Sequence, residues 1–336
     1  MSLPLLPALR KKYPSVSISW VTGKIAAPLI QATGLVDHLH TIDESQLLTG
    51  SFCQQSKQVF SLWKRLFAFS YDLVITAHVD PRYRLLTLPI RKKQHHFFCR
   101  KKKRPSPVPG RNRSEEYINL ALGEHCGNPS DFSFPHLSTS LPEHLRSVAD
   151  KNPIALAPGG AKNLLREDAL RRWPIENYAA LIKQLNHKNI PVAITGAPAD
   201  DWVLPHLSGV VFENLIGKTS LLDLVAFYQR CRLLVTHDSG PLHLAKLASC
   251  KTIALFGPTN PREFASPDNI VLWGGESLGC SPCYDGKNFA PCRNNRCMKN
   301  ISPQEVLQKI ESAFRTELTS IPCMQKLDLH FFSKPS

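Results

Sequence analysis

The stretch Leu233-Leu-Val-Thr-His-Asp-Ser-Gly-Pro-Leu-His-Leu-Ala-Lys-Leu-Ala-Ser-Cys-Lys-Thr-Ile-Ala-Leu-Phe256 decides the fold. Its apolar runs predict strands over Leu233–Thr236 and Thr252–Phe256, and the segment between them predicts a helix over Gly240–Ala248. A strand, a helix and a second strand of these lengths form the βαβ unit of a parallel sheet. We therefore expect an α/β protein.

The same alternation extends towards the N-terminus as far as Asn152. Strands alternating with helices at this spacing predict a parallel sheet with helices on both faces. The closing helix is expected at Ser302–Phe314. The other predicted elements are strands Pro153–Ala157 and Pro191–Thr195 and helices Pro174–Asn186, Asp201–Leu207 and Ser220–Cys231.

A second α/β half precedes this one. We expect domains at residues 1–145 and 146–318, with a cleft between them and a tail at 319–336. The predicted elements of the first half are helices over 3–13, 24–33, 55–70 and 114–122 and strands over 16–21, 36–42 and 71–76.

Positive charge is concentrated in one segment. The chain of 336 residues has a net charge of +14, and Arg82 to Arg113 contains twelve Lys or Arg and no Asp or Glu. Such a segment implies nucleic acid, anionic lipid head groups or a phosphorylated glycolipid as a neighbour, or else a solvated loop. Prolines between Pro105 and Gly110 predict an exposed loop beside the cleft. The apolar runs are too short to span a bilayer, and the ten cysteines are too few for a disulfide scaffold. We expect a cytoplasmic protein.

Three glycine turns follow predicted strands of the second half. They are Ala157-Pro-Gly-Gly-Ala161, His237-Asp-Ser-Gly-Pro-Leu-His243 and Leu255-Phe-Gly-Pro-Thr-Asn260. In a parallel sheet such turns converge on one crevice. The turn after Leu233–Thr236 is expected to bind an anion through free amides at the helix start, with Asp238 or Ser239 as N-cap and His243 as a further donor. An ordinary capped helix with a core histidine is the alternative. Arg171 and Arg172, just before a helix, are expected to hold phosphate or to be surface arginines.

Residues 153–265 closely resemble the nucleotide-sugar half of glycosyltransferase family 9, the lipopolysaccharide heptosyltransferases. The resemblance rests on the three turns, Arg171-Arg-Trp-Pro174, Thr195-Gly-Ala-Pro198 and the segment Leu215–Leu224. It implies a GT-B architecture, in which two Rossmann-like domains face a cleft, with acceptor bound by the first and nucleotide sugar by the second. It also implies inverting transfer of heptose from ADP-heptose to the inner core, with no cofactor and no catalytic metal.

Site residues follow from the same resemblance. Arg171 matches a family lysine that pairs with phosphate, and Asp200 or Asp201 matches a carboxylate that hydrogen-bonds the ribose. The nucleotide-sugar site is expected to comprise Gly159, Gly160, Arg171, Asp200, Asp238, Ser239, Gly240, Pro241, Leu242 and His243.

The sequence departs from the family pattern at its start. In the family, a strand and a glycine-aspartate loop carrying the general base precede the helix with which this sequence opens. A further family carboxylate, after the strand ending Val-Ile, is matched by Thr76 here, and the nearby ionisable candidates for a base are His78 and Asp80. A positioned base contributes roughly 10²- to 10⁴-fold to the rate. The alternatives are a start codon placed too late, a truncated gene product, or a catalytically impaired paralogue that binds a nucleotide sugar or glycolipid.

The acceptor site is expected in the basic segment, where cations would grip lipid A and core phosphates at the inner leaflet. This predicts a cytoplasmic protein, peripheral at the inner membrane. Nucleic acid is not expected, because Phe97 and Phe98 are the only aromatic residues near the lysine run. The predicted acceptor residues are Arg82, Arg84, Arg100, Lys101, Lys102 and Lys103.

Four cysteines, Cys280, Cys283, Cys292 and Cys297, cluster in the second half. Four thiolates can hold a tetrahedral zinc ion. The second pair is spaced by four residues, and the family resemblance implies that similar Cys-Pro-Cys-Tyr segments bind no metal, so reduced thiols or a labile disulfide are expected instead.

Overall fold

The structure, a computed structural model, describes residues 1–98, 107–123, 134–135, 137, 139–162, 165–286 and 288–320. No helix within these residues is long and apolar enough to cross a membrane. The second half was predicted most closely, and the strand at Thr252–Phe256 has its predicted bounds.

The elements of the first half, in chain order, are α1 Leu5–Lys12, β1 Ser19–Gly23, α2 Ala27–Ala32, β2 His38–Ile42, α3 Glu44–Thr49, α4 Phe52–Leu66, β3 Ser70–Thr76, α5 Pro81–Leu85, β4 Arg91–Phe97, α6 Arg113–Leu122 and α7 Glu143–Ala149.

The second half contains β5 Ile154–Ala157, α8 Ile175–His187, β6 Val192–Ile194, β7 Glu213–Asn214, α9 Leu221–Tyr228, β8 Leu233–His237, α10 Gly240–Leu247, β9 Thr252–Phe256, α11 Pro261–Phe264, β10 Ile270–Trp273, α12 Arg296–Lys299 and α13 Pro303–Ser320. Two 3₁₀ helices lie at Ala169–Arg171 and Pro198–Leu207.

The second half is built on one parallel sheet of six strands, in the order β10-β9-β8-β5-β6-β7. Side chains along each strand alternate between its faces. In β5, Ile154 and Leu156 join the core that α8 and α13 cover, and Ala155 and Ala157 join the core that α9 and α10 cover. The predicted α/β class and the two-sided covering of the sheet are confirmed.

The strands of the first half form two parallel pairs, β1 with β2 and β3 with β4. Among the described residues these pairs are separate sheets. The strand β4 corrects the expectation that the basic segment is a loop: Arg91–Phe97 is extended and pairs with β3 from Ser70 to Thr76. Lys92 stabilises this arrangement because its ammonium donates to the carbonyls of Thr87, Leu88 and Ile90.

One hydrophobic core is shared by both halves. Leu6 of α1 and Ile30 of α2 belong to the same buried cluster as Ala155, Val225 and Phe227 of the second half. Because α2 packs against α9, the helices that open the chain extend the core on this side of the second half.

A polar clasp joins the halves beside this core. The carboxylate of Glu263, in α11, accepts from the amide of Gly110 at 3.0 Å and from the guanidinium of Arg113 at 2.9 Å. Asn112 donates to the carbonyl of Ala265 at 2.8 Å. The segment from Gly110 to Arg113, at the end of the predicted loop, is thus held against the second half.

Two further predictions need correction. The helix expected at Asp201–Leu207 is a 3₁₀ helix that starts at Pro198, and Pro205 within it lacks the N–H that an α-helix would use. The closing helix continues to Ser320 instead of ending at Phe314. The predicted domain boundary near Leu145 falls inside α7 and stays a prediction, and the rest of the predicted tail lies outside the described residues.

Candidate active site

Three glycine turns meet at one edge of the sheet. β5, β8 and β9 are neighbours in the sheet and parallel, so the turns after their last residues lie side by side, as predicted. Gly160 has a φ of +78°, which only glycine adopts easily, and a methyl group there would lie 3.4 Å from the Cβ of Ser239. The first two turns are therefore in contact.

Asp200 fixes the first turn. One carboxylate oxygen accepts from the amide of Gly160 at 2.7 Å and the other from the amide of Ala197 at 2.8 Å. The side chain is buried, and a methyl group on Gly159 would lie 2.3 Å from its Cγ. Backbone donors thus occupy both oxygens. This geometry gives Asp200 a positioning role, and Asp201 is exposed. The ribose contact expected of Asp200 or Asp201 stays a prediction.

The two adjacent arginines have different roles. Arg172 holds the first turn, because its Nε and Nη2 donate to the carbonyl of Gly160 at 3.0 and 2.7 Å. Arg171 instead points between two acidic side chains: its Nη2 lies 3.3 Å from Asp168 and its Nη1 lies 3.5 Å from Asp238. Of the pair expected to hold phosphate, Arg171 is the one beside the second turn.

Asp238 is paired with Arg171 in a buried position. Burial raises the pKa of the Asp238 carboxyl, and the Arg171 guanidinium acts in the opposite direction. Asp168 is also buried and binds a second cation, since Nε of Arg166 lies 3.0 Å from its carboxylate. A chain of alternating charge therefore leads from the second turn to Arg166.

The second turn presents the start of α10. Ser239 is the N-cap residue, but its hydroxyl donates to the carbonyl of His237 at 3.2 Å and does not cap the helix. Asp238 does not cap it either, because its carboxylate faces Arg171. Among the residues that the structure describes, the positive end of α10 is thus left without a capping side chain, and this arrangement suits an anion. Gly240, Pro241 and Leu242 form its first turn.

Two histidines lie at this edge in their neutral form. Burial lowers the pKa of His237 to about 3, and the nearby Arg171 and Arg172 lower it further. The pKa of His243 is lowered to about 3, again first by burial, with Arg171 among the positive charges that contribute. His237 makes a 3.4 Å contact with the hydroxyl of Tyr178. A neutral imidazole still offers one N–H donor to an oxyanion.

An open cavity of about 510 Å³ lies beside Arg171. Its walls combine an aromatic ring with charged and amide groups, and they come from the 166–170 segment and from the loop after Tyr284. The rings of Tyr284 and Phe289 stack at 4.8 Å. The lining residues are Arg166, Glu167, Asp168, Ala169, Leu170, Asn288 and Phe289.

His78 and Asp80 lie next to each other before α5. Asp80 caps α5 by accepting from the amide of Arg82, and its carboxylate is 2.7 Å from the Arg82 guanidinium. The hydrogen bond from Arg82 is the main cause of the lowered pKa of Asp80. His78 accepts from the Asp80 amide at 3.0 Å, and burial lowers its pKa. Both groups are thereby weaker bases than usual, and their catalytic role stays a prediction.

The predicted acceptor residues are only partly described. Arg82 is paired with Asp80, and the guanidinium of Arg84 lies 4.1 Å from the ring centre of Phe97. Arg100, Lys101, Lys102 and Lys103 lie outside the described residues.

The clustered cysteines carry free thiols. Burial is the main cause of the raised pKa of Cys283 and Cys297, and each has Cys292 among its electrostatic neighbours. In the part of the chain that the structure describes, no three His, Cys, Asp or Glu side chains are arranged to hold a metal ion. The zinc alternative at Cys280, Cys283, Cys292 and Cys297 therefore gains no support.

Sequence reasoning missed Asp168 and Glu263. Asp168 stands three residues before Arg171, a spacing that brings side chains together on a helical turn. That spacing was the available signal. The contacts of Glu263 with Gly110 and Arg113 span 150 positions or more, and no local pattern indicates them.

Comparison with known proteins places these features in a class. The fold matches the structure of ADP-heptose LPS heptosyltransferase II from Escherichia coli, with a TM-score of 0.69, 21% identity and coverage of 94% of this chain and 95% of that one. The fold is thus of the GT-B type. A sequence profile of glycosyltransferase family 9 (heptosyltransferase) matches residues 59–292. The chain belongs to glycosyltransferase family 9.

Two curated relatives support this assignment. Lipopolysaccharide heptosyltransferase 2 of Escherichia coli is 32% identical over 227 residues, which are 60% of this chain and 62% of that protein. Lipopolysaccharide core heptosyltransferase OpsX of Haemophilus influenzae is 25% identical over 286 residues, which are 80% of this chain and 78% of that protein.

Proposed function

We propose that this glycosyltransferase moves a heptose from ADP-heptose to the inner core of lipopolysaccharide by inverting displacement. One observation carries the proposal: the Arg171 guanidinium and the uncapped start of α10 meet at the turns after β5 and β8. A cation and a helix N-terminus together form a site for a diphosphate. The names of the family and of the relatives supply the sugar and the acceptor.

In this proposal the second half stabilises the leaving group. As the bond between the anomeric carbon and the diphosphate breaks, negative charge grows on ADP. Arg171, the amides at Ser239 and Gly240 and an imidazole N–H of His243 are the donors assigned to that charge. Donors already fixed in place stabilise a developing charge without reorganisation. Asp200 and Arg172 contribute indirectly, because they hold the first glycine turn in position.

The transferred sugar is assigned to the open cavity beside Arg171. The ring of Phe289 offers an apolar face, and Asp168 and Asn288 offer groups that hydrogen-bond hydroxyls. Pockets of this composition orient a ligand through a few polar groups among apolar ones. Arg171, which lies between Asp168 and Asp238, would then stand between the sugar and the diphosphate.

The acceptor hydroxyl must lose a proton, and the candidate bases are His78 and Asp80. The pairing of Asp80 with Arg82 favours a second candidate function, a family member that binds the nucleotide sugar but turns it over slowly. The acceptor phosphates are assigned to the basic segment. We further propose a cytoplasmic enzyme, peripheral at the inner membrane.

The test combines binding and turnover. Calorimetric titration with ADP and with UDP is expected to show binding that prefers ADP. ADP release from ADP-heptose is then measured with and without heptose-deficient lipopolysaccharide, and acceptor-dependent release is expected. ADP binding without acceptor-dependent release would select the second candidate. If ADP does not bind, both are wrong.

A further inference from the structure

The outer face of α4 carries an alternation of aromatic and basic side chains. Four residues spaced by three, four and three positions share one face of the helix and its C-terminal cap: they are Lys57, Phe60, Lys64 and Phe67. Phe60 is 62% exposed and Phe67 is 56% exposed. The opposite face, with Val59, Leu62 and Leu66, packs in the core.

The apolar part of this face continues onto the next elements. Phe60 packs edge-on against Trp63 at 5.3 Å, and the indole N–H of Trp63 donates to the carbonyl of Leu85. This contact places the end of α5 beside α4. Leu85 and Leu88, which lie there, are 45% and 66% exposed. The exposed apolar side chains thus form one patch instead of isolated positions, and contiguous patches mark interaction sites.

The surroundings of the patch are basic. Residues 45–71 and 81–113 contain no Asp or Glu. In the part of the chain that the structure describes, neither Lys57 nor Lys64 has an acidic partner, and the Arg91 guanidinium lies 5.2 Å from the ring centre of Phe67. The nearby Asp72 is already paired with Lys93 at 2.7 Å.

The combination of exposed apolar side chains and basic residues indicates what kind of partner this surface binds. Aromatic and aliphatic side chains bordered by Lys and Arg are typical of surfaces that lie at the interface of an anionic bilayer. A second copy of the same face would bring like charges together, which opposes self-association. Charge complementarity therefore favours anionic lipid.

We propose that the α4 patch, formed by Lys57, Phe60, Lys64, Phe67, Leu85 and Leu88, docks on the surface of an anionic phospholipid bilayer. The phenyl rings and leucines enter the head-group boundary, and the lysines contact lipid phosphates. The inference deepens the peripheral location proposed above by naming the surface that makes the contact. It is independent of the nucleotide site and of the acceptor.

The test uses vesicles that contain no glycolipid, so that neither turnover nor acceptor binding contributes to the result. The full chain is sedimented with phosphatidylcholine vesicles and with vesicles that also contain phosphatidylglycerol. Binding is expected only to the second kind and should weaken with salt. The double variant Phe60→Ser/Phe67→Ser is expected to bind about tenfold more weakly or worse, because two exposed rings no longer leave water. The double variant Lys57→Gln/Lys64→Gln should lose most of the vesicle binding that salt weakens.

The matched control is Val211→Ser, which removes an exposed apolar side chain from the second half. Circular dichroism and ADP titration verify that each variant is folded. Equal vesicle binding by Phe60→Ser/Phe67→Ser and Val211→Ser would overturn the proposal. The proposal would also be overturned if the unmodified protein were a dimer in sedimentation velocity and Phe60→Ser/Phe67→Ser were a monomer. The patch would then be an interface between copies of the chain.

Discussion

Arg171 Nη1 lies 3.5 Å from the carboxylate of Asp238, and that carboxylate is only 4% exposed. The two residues are brought together because the turns after β5 and β8 are neighbours at one sheet edge. A buried carboxylate is costly unless a cation accompanies it. The pair therefore places a guanidinium at the start of α10 before any ligand arrives, and an incoming diphosphate meets a site that needs little rearrangement.

Replacing Arg171 by Gln should weaken ADP binding by about 10- to 100-fold, since a charge-assisted hydrogen bond contributes roughly 1.5–3 kcal/mol. The substitution also leaves Asp238 without its cation, so the free energy of unfolding should fall. The double variant Arg171→Gln/Asp238→Asn removes that unpaired charge. It is expected to recover stability but not ADP affinity, as measured by urea denaturation and calorimetry. Recovery of both would show that Arg171 acts only on the fold. Arg146→Gln, on the exposed face of α7, serves as the surface control.

Asp200→Asn should destabilise the protein by about 1–3 kcal/mol. The amide can accept from one backbone N–H, but its own NH₂ group then faces the other, either at Gly160 or at Ala197. The adjacent Asp201→Asn is the matched control, because Asp201 is exposed. Urea denaturation without nucleotide distinguishes a role of Asp200 in stability from a role in binding the ribose. A loss of ADP affinity at unchanged stability would assign Asp200 to the ribose instead of to the fold.

Two glycines of the site should respond differently to alanine. A methyl group on Gly159 would lie 2.3 Å from Asp200, so Gly159→Ala should cost about 1–3 kcal/mol of stability through overpacking. Apart from its chain neighbours and the backbone of its own helix, no atom of the described residues lies within 4 Å of the position that a methyl group on Gly240 would take. Gly240→Ala should therefore fold normally but bind ADP more weakly, because the methyl group occupies space assigned to the diphosphate. Unchanged ADP affinity in folded Gly240→Ala would place the diphosphate elsewhere.

Stability should fall on mild acidification. His237 is neutral in the folded protein, where its pKa is lowered to about 3, whereas in the unfolded chain it titrates near 6.5. Between these values the unfolded state binds the extra proton, so the free energy of unfolding decreases as the pH falls, by about 1.4 kcal/mol per pH unit for this group. Above pH 6.5 the contribution is fully present. Urea denaturation at several pH values between 6.5 and 5 measures the slope.

His237→Asn is expected to reduce that slope by about the same 1.4 kcal/mol per pH unit, since it removes one titrating group. His187→Gln, at the exposed end of α8, serves as the surface control for the substitution itself. Identical slopes for the unmodified protein and for His237→Asn would contradict this prediction. They would mean that the pKa of His237 is the same in the folded protein as in the unfolded chain.

The fold was predictable wherever burial is complete. β5, β8 and β9 are buried throughout and mostly apolar, so they stand out in the sequence, because a central strand of a parallel sheet is covered on both faces. β4 was missed because Arg91-Lys-Lys-Gln-His-His-Phe97 has no apolar alternation. Its strand conformation comes from pairing with β3, which is a tertiary effect.

The candidate site was predictable in its backbone and less so in its side chains. Glycines after strands locate the three turns, and their adjacency follows from the sheet order. Whether a carboxylate faces a ligand or the protein depends on contacts that are distant in sequence. Asp200 turns to Gly160 across 40 positions, and no local pattern indicates that contact.

The core that Leu6 and Ile30 share with Ala155 and Phe227 affects how the molecule unfolds. Separating the halves would expose the apolar side chains that α1 and α2 contribute to this core and the side chains of the second half that they cover, so the two halves are expected to stabilise each other. The chain should accordingly melt as a single cooperative unit with one calorimetric transition. Opening of the cleft is then confined to residues outside the shared interior, where the polar clasp at Glu263 is one of the contacts that must break.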